Sequence, residues 1–192
     1  MTILVDQALW PWRDLRWAHL ISDKSHHELH EFASLIGKRR VGFQGDHYDV
    51  HEVERERAIH AGAVEVDSRV LVQRLRQAGL RCRGGLPKWT VLHEAQTQSH
   101  EVSATVAAAS LAGVSLALHL DRLAAPSPPP CTSVDLLILE RPLELAAVVR
   151  GVWTIAQLDK QETSPHPHIE EWFGHDDDGP VLEVIYRPPG TK

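Results

Sequence analysis

Residues 25–43 have the sequence SHHELHEFASLIGKRRVGF, which carries the signals of a helix followed by a strand. Ser25 stands three residues before Glu28, the spacing of a capping box that begins a helix. Apolar residues then recur at helical spacing as far as Ile36, and Gly37 follows where a left-handed residue commonly ends a helix. The apolar residues among 40–43 predict the next strand.

The same alternation of elements continues on both sides of this stretch. The predicted strands are residues 3–5, 40–43 and 63–66, with a further extended segment at 15–22. The other two helices are expected to be capped by Asp49 and Ser68 and to end at Gly62 and Gly79. Strands that alternate with helices are typical of a parallel α/β sheet. We therefore expect residues 1–83 to form an α/β domain with a small, mainly parallel, three- or four-stranded sheet flanked by helices.

The second half predicts a C-terminal α+β extension, residues 84–192, which packs on the first domain. Its main feature is a long Ala-rich helix at residues 93–123, followed by a Pro-rich linker at 124–133. Ala104, Ala108 and Ala112 recur four residues apart, so a second helix, of this chain or of a second copy in a homodimer, could approach closely. The remaining predicted elements are strands at 134–139 and 181–186, a helix at 143–158 and a surface loop at 161–180.

The composition excludes several classes of protein. A net charge of −6 argues against a strongly basic nucleic-acid-binding chain, and two cysteines cannot form a disulfide scaffold. The N-terminus lacks the pattern of a signal peptide, so we expect a cytoplasmic protein. Residues 102–120 carry no formal charge, but they are rich in Ala, Ser, Thr and Gly and predict a buried helix, without a membrane span. The chain has no Walker, dinucleotide-binding or nucleophile-elbow motif.

Acidic side chains follow the predicted strands of the first half. Asp6 follows the first strand, Asp23 follows residues 15–22, and Asp46 follows the strand at 40–43. Ligands bind beyond the carboxyl ends of parallel strands, and converging carboxylates suit Mg²⁺ or Mn²⁺. His19 and His47 would lie near this edge and could move protons. The alternative is that these aspartates are turn formers, helix caps and parts of buried hydrogen-bond networks.

A basic segment follows at the third predicted helix. Residues 68–93 contain no acidic residue and six basic ones: Arg69, Arg74, Arg76, Arg81, Arg83 and Lys88. Phosphate backbones attract such patches, and Arg69, Arg74 and Arg76 would position a nucleic acid or nucleotide. The alternative is that these arginines make a helix face soluble or pair with the acidic second half of the chain.

The motifs of the first half resemble a known family. Residues 3 to about 83 are similar to the bacterial and phage family called domain of unknown function 4031. The similarity includes Asp6, Trp10, Trp17, His19, Asp23, His30, Ser68, Arg69 and the string Asp46-His47-Tyr48-Asp49, which is its most specific part. His51 stands where relatives are expected to have proline. The resemblance implies a small bacterial or phage protein and brings no established reaction with it.

Two functional hypotheses follow. The first is a phosphoesterase in which Asp6, Asp23 and Asp46 hold Mg²⁺ or Mn²⁺ and lower the pKa of a bound water. The second is a non-catalytic module that binds a protein or nucleic acid. In that module the Asp46–Asp49 string is a rigid turn, and tryptophans near the N-terminus, among them Trp17, form the contact surface.

Overall fold

The structure is a computed structural model and describes residues 2–123, 133–151, 167–176 and 179–189. The chain divides into two compact units, Met1–Leu86 and Pro87–Lys192, called here the N-terminal and C-terminal units. Each unit has its own sheet.

The sheet of the N-terminal unit is built around one long strand. Its strands are β1 (Ile3–Val5), β2 (Trp10–Trp12), β3 (Leu15–Ser22), β4 (Tyr48–His51) and β5 (Val64–Glu65). In β3, Leu20 pairs with both Val5 and Tyr48, so β1 and β4 lie on opposite edges of that strand. The N-terminal half of β3 pairs with β2, which lies on the same edge of β3 as β1. The strand β5 pairs with β1.

The expectation of a mainly parallel sheet is wrong. The sheet is mixed: the pairings of β3 with β1, β2 and β4 are antiparallel, and β1 and β5 are parallel. The physical reason lies in the connections. A crossover between parallel strands needs a dozen or more residues, whereas two residues, Arg13 and Asp14, turn β2 directly into β3.

The three helices of this unit are α1 (His26–Leu35), α2 (Glu52–His60) and α3 (Ser68–Gln77). Ser25 caps α1 as predicted, because its hydroxyl accepts a 3.1 Å hydrogen bond from the backbone N–H of Glu28. The Glu28 carboxylate does not complete the capping box but accepts a hydrogen bond from the Ser22 hydroxyl. Gly37, with φ of 82°, follows α1 in the left-handed conformation expected there.

Two local predictions around β4 are wrong. Residues Arg40–Gly42 form a 3₁₀ turn where a strand was expected, and the strand begins later, at Tyr48. Asp49 therefore lies inside β4 and does not cap α2. The chain enters α2 through His51, whose backbone N–H donates to the Glu54 carboxylate at 3.0 Å.

The alternation of β3 assigns its side chains to two faces. Ala18 and Leu20 lie in the larger core, which α1 and α2 cover. Ile21 lies on the opposite face with Leu4, where α3 covers it through Leu71 and Leu75. Because side chains alternate along a strand, His19 and Trp17 share the face of Ile21. This face, called here the α3 face, carries the candidate site.

The C-terminal unit is an antiparallel sheet with two helices. Its strands, in the spatial order β6-β7-β8-β10-β9, are β6 (Thr90–Gln98), β7 (Ser133–Arg141), β8 (Glu144–Arg150), β9 (Ile169–Asp176) and β10 (Gly179–Tyr186). The helices are α4 (Val102–Ala109) and α5 (Gly113–Leu123), and they pack on the sheet through residues such as Val106, Leu120 and Ile138. A Cβ at Gly113 would lie 2.0 Å from the carbonyl oxygen of Val106, so only glycine permits this approach of the two helices.

The single Ala-rich helix expected at residues 93–123 is not found. Residues up to Gln98 belong to β6, and extended backbone at Ser110 separates α4 from α5. Ala104 and Ala108 lie in α4, and Ala112 directly precedes α5. The homodimer expected through that helix stays a prediction.

Strands at residues 134–139 and 181–186 are confirmed as parts of β7 and β10. The prediction of a helix at 143–158 is wrong for residues 144–150, which form β8. A short run of buried apolar residues fits a strand as well as a helix. The loop expected at 161–180 contains β9. Residues 124–132, 152–166 and 177–178 of these predictions lie outside the described part of the chain. Among the described helices, none combines the length and the apolar character needed to cross a bilayer.

Candidate metal centre

Two histidines and one aspartate converge on the α3 face. His19 of β3 and Asp49 of β4 are directly opposite each other in the antiparallel register. His47 lies just before β4, and its ring centroid is 5.2 Å from that of His19. One ligand atom of each of these three residues lies within 4.8 Å of the other two. Among the described residues, this is the group of histidine, cysteine and carboxylate side chains that is close enough to share one ion.

Asp6 orients His19. Its Oδ2 lies 2.9 Å from Nδ1 of the His19 ring, and its Oδ1 accepts a 2.6 Å hydrogen bond from the His19 backbone N–H. The Ser68 hydroxyl, at the first residue of α3, donates to Oδ2 at 2.6 Å. An ionised carboxylate can only accept, so Nδ1 of His19 carries a proton, and in the neutral ring the lone pair is on Nε2.

Asp46 orients His47 in the same way. Its Oδ1 lies 2.5 Å from Nδ1 of the His47 ring. Its other oxygen accepts hydrogen bonds from the Arg81 guanidinium and from the backbone N–H of Cys82, the latter at 2.7 Å. Carboxylates that hold the far nitrogen of a histidine are the common second layer of protein metal sites.

Both orienting carboxylates are buried, and their pKa values reflect this setting. Burial raises the pKa of Asp6, but the hydrogen bonds from His19 and Ser68 outweigh it and hold the pKa below its ordinary value. The pKa of Asp46 is also lowered, because the bonds from His47 and Arg81 outweigh its burial. Each carboxylate is therefore ionised at neutral pH, as the orientation of the two rings requires.

The setting of His47 favours positive charge at this point. Burial lowers the pKa of His47, but hydrogen bonds and attraction from Asp49 and Asp46 outweigh it, and the pKa lies above its ordinary value. Asp49 Oδ1 lies 3.4 Å from Nε2 of His47. That oxygen is buried and accepts no well-formed hydrogen bond from the described residues. A buried carboxylate oxygen whose contact with Nε2 of His47 is as long as 3.4 Å, on a residue directly opposite His19, fits a cation.

The group is open to solvent on one side. The side chains of His19, His47 and Asp49 are 35%, 21% and 29% exposed. Trp10 of β2 lies against His19, with ring planes 25° apart and ring centroids 6.2 Å apart. A bound ion would therefore keep coordination positions available to water or substrate.

The structure does not bring Asp6, Asp23 and Asp46 together as the sequence analysis expected. Asp6 and Asp46 are each only 1% exposed and engage the two histidines. Asp23 lies 3.6 Å from the Arg74 guanidinium, in an ion pair that also engages one of the three arginines expected to contact nucleic acid. The convergent group is instead His19, His47 and Asp49.

The other motif residues have separate settings. His30 Nδ1 lies 2.9 Å from the Tyr48 hydroxyl in the core of the opposite face of the sheet. Trp17 donates from Nε1 to the backbone carbonyl of Trp12 and so ties the two strands of the hairpin together. Arg69 and Arg76 are exposed on α3 and line a shallow depression with Ser68, Val72 and Gln73.

Sequence reasoning missed the position of Asp49 beside the two histidines because it assigned that residue to a helix cap. The usable signal was the spacing of two between His47 and Asp49, which fits one face of an extended segment. Arg81 and Ser68, which fix the orienting carboxylates, carry no local signal of that role, since Arg81 is 35 residues from Asp46 and Ser68 is 62 residues from Asp6.

Comparison with known proteins gives one match. No curated protein and no solved structure matches the chain. Residues 3–78, which lie within the N-terminal unit and include His19, His47 and Asp49, match the model of the family described as Protein of unknown function (DUF4031), so the resemblance expected for this segment is confirmed.

Proposed function

We propose that His19, His47 and Asp49 bind one divalent metal ion and that the N-terminal unit is a metal-dependent phosphoesterase acting on a nucleic acid or nucleotide. The observation that supports this most directly is the convergence of the three ligand atoms within 4.8 Å. The two buried carboxylates behind the histidines support it further, because they bond to Nδ1 of each ring and leave Nε2 as the nitrogen that can coordinate an ion.

The donor set favours a transition metal. Two imidazoles and one carboxylate suit Mn²⁺ or Zn²⁺, whereas Mg²⁺ prefers oxygen ligands throughout. Of the two ions that the sequence analysis considered, Mn²⁺ is therefore the better match.

The chemistry of a bound ion and that of the protein are separable. A divalent ion at this site would polarise a phosphoryl oxygen and lower the pKa of a bound water. Asp6 and Asp46 keep a proton on Nδ1 of each histidine, so neither ring can both coordinate the ion and take up a further proton. Arg69 and Arg76 are exposed on α3, the helix that covers this face of the sheet, and supply positive charge there.

The test is calorimetric titration of Mn²⁺, Zn²⁺ and Mg²⁺ into the full chain. We expect one transition-metal ion per chain, and we expect D49A to weaken binding at least about tenfold, the typical scale for a metal site that loses a group. D23N is the matched control, because Asp23 is an acidic residue of the same unit that lies in a separate ion pair. Hydrolysis of a chromogenic phosphodiester should follow the metal affinity. Unchanged binding in D49A, or no binding by the wild-type chain, would contradict the proposal.

The second hypothesis, a non-catalytic interaction module, also has one supporting observation. Trp10 and Trp12 are 55% and 52% exposed on the β2–β3 hairpin. Exposed aromatic side chains of this kind serve as anchors in interfaces. A chain that binds no metal but captures a macromolecule through these side chains would favour the module.

A cytoplasmic location of a bacterial or phage protein belongs to the same proposal. It is supported by Cys82, which is a free thiol in the structure, because reduced cysteines are usual in the cytosol. Retained activity of the wild-type chain under strongly reducing conditions would agree with it.

A further inference from the structure

We infer that the substrate is a single-stranded polynucleotide, whose bases stack on Trp10 and Trp12 while a phosphodiester lies at His19, His47 and Asp49. This inference rests on the proposed function and narrows its substrate class. It is carried by the position of the tryptophans, the rigidity of their hairpin and the exposed arginines of α3.

The tryptophans lie on the face of the metal centre. Trp10 pairs with Trp17 across the hairpin, and Trp17 lies two residues from His19 along β3, on the same face. Along the α3 face, His19 is therefore flanked by Ile21, which α3 covers, and by Trp17 with its partner Trp10. The metal centre lies between α3 and the tryptophan hairpin.

The hairpin is held in one conformation. Its two-residue turn, Arg13 and Asp14, has φ of 49° and 61°, the left-handed values that a tight hairpin turn requires. Trp17 donates to the Trp12 carbonyl at 3.0 Å, and the Arg13 guanidinium lies 4.5 Å from the centre of the Trp12 ring. Preorganised rings lose little conformational entropy when they contact a ligand, which favours stacking.

Two exposed arginines lie on α3, the helix whose first residue contacts the metal centre through Asp6. Ser68 at the start of α3 bonds to Asp6, which in turn holds His19, and the depression that begins at Ser68 is lined by Arg69 and Arg76. Neither arginine forms an ion pair with the described residues of the chain. An aromatic platform on one side of a metal centre, with exposed arginines on the helix that covers the other side, is complementary to bases joined by a phosphate backbone.

A single strand fits this surface better than a duplex or a protein. The faces of bases are free for stacking on tryptophan only where the strand is not stacked in a helix. A protein partner would match the exposed tryptophans but would have no need of the adjoining metal centre and arginines.

The experiment measures binding without catalysis. Fluorescence anisotropy of a labelled twelve-nucleotide oligothymidine is followed with the full chain in excess chelator, so that no metal takes part. We expect binding that weakens as salt rises, and W10A and W12A should each reduce the affinity at least about fivefold, the low end for loss of one base stack. W10F should retain most of the affinity. L35A, at a 72% exposed leucine of α1 on the opposite side of the sheet, is the control and should bind like the wild type.

Three outcomes would overturn the inference. These are equal or tighter binding of a hairpin duplex, an unchanged affinity in both W10A and W12A, and no binding of the oligothymidine. If metal binding is nevertheless found in the titration described above, the proposed function survives without this substrate class. A fourth outcome, oligothymidine binding by a chain that binds no metal, would overturn the substrate assignment together with the proposed function. D49A separates the two activities, because we expect it to lose metal affinity and to keep its affinity for oligothymidine.

Discussion

The substitution D6N tests whether the network behind His19 stabilises the N-terminal unit. The Asp6 carboxylate accepts three hydrogen bonds while only 1% exposed. A bond to a charged group contributes about 1 kcal/mol more than one between neutral groups, so loss of the charge removes about 3 kcal/mol. Burial of the neutral asparagine amide costs less than burial of the aspartate carboxylate, and this difference offsets part of the loss. We expect D6N to lower the free energy of unfolding by about 2 kcal/mol.

The assay is amide hydrogen exchange followed by mass spectrometry. The slowest amides in peptides that cover β1 and β3 report the opening free energy of this unit separately from the C-terminal unit. D23N is the control, since an ion pair at 3.6 Å with a half-exposed Arg74 contributes less than about 1 kcal/mol.

The pH dependence of the D6N effect has a definite sign. Because the pKa of Asp6 is below its ordinary value of 3.8, its stabilisation is present above that pH and is lost as pH falls through the lower folded value. The difference between wild type and D6N should therefore shrink on acidification. An effect of D6N no larger than that of D23N at neutral pH would refute this account of the network.

Three further outcomes are expected. L75A removes a 2% exposed side chain on the sheet-facing side of α3 and should lower the free energy of unfolding by about 2–4 kcal/mol, measured by the same exchange assay. G113A forces a Cβ against the carbonyl oxygen of Val106 and should lower the unfolding midpoint of the C-terminal unit, with a cost of about 1–3 kcal/mol. H47A should destabilise the chain more below the ordinary histidine pKa of 6.5 than at alkaline pH. The folded state raises the pKa of His47, so protonated His47 stabilises the fold at low pH, and this stabilisation is lost as pH rises through the folded pKa. The measurement is urea unfolding of wild type and H47A below pH 6.5 and at alkaline pH. An equal loss of unfolding free energy under the two conditions would contradict this expectation.

The sequence was informative where a local signal had one meaning. Ser25 and Gly37 begin and end α1 because capping depends on a hydroxyl and on a left-handed residue, and both are visible in the chain. The strand β1 was predicted from three apolar residues. Its pairing with both β3 and β5 was not, because strand partners depend on contacts that the local sequence does not contain.

The errors arose where one pattern fits two structures. Apolar residues in 144–150 fit a buried strand as well as a helix, and only their pairing with β7 and β10 decides between them. The acidic site was misjudged for a related reason. Asp6, Asp46 and Asp49 are of one residue type, but burial and hydrogen bonds give the first two an orienting position, whereas Asp49 lies beside the histidine rings, with Oδ1 3.4 Å from Nε2 of His47.

The alternation of side chains along β3 separates two kinds of constraint on the N-terminal unit. Ala18 and Leu20 face the larger core, so changes there act on folding, whereas Trp17 and His19 face the open side. A descendant of this chain could replace the open-side residues and acquire different ligand chemistry while the core-facing residues stay as they are. A one-residue shift of the strand would exchange the two sets and lose both at once. The strand register therefore allows substitutions at the site, whereas an insertion or deletion within β3 would disrupt both the site and the core.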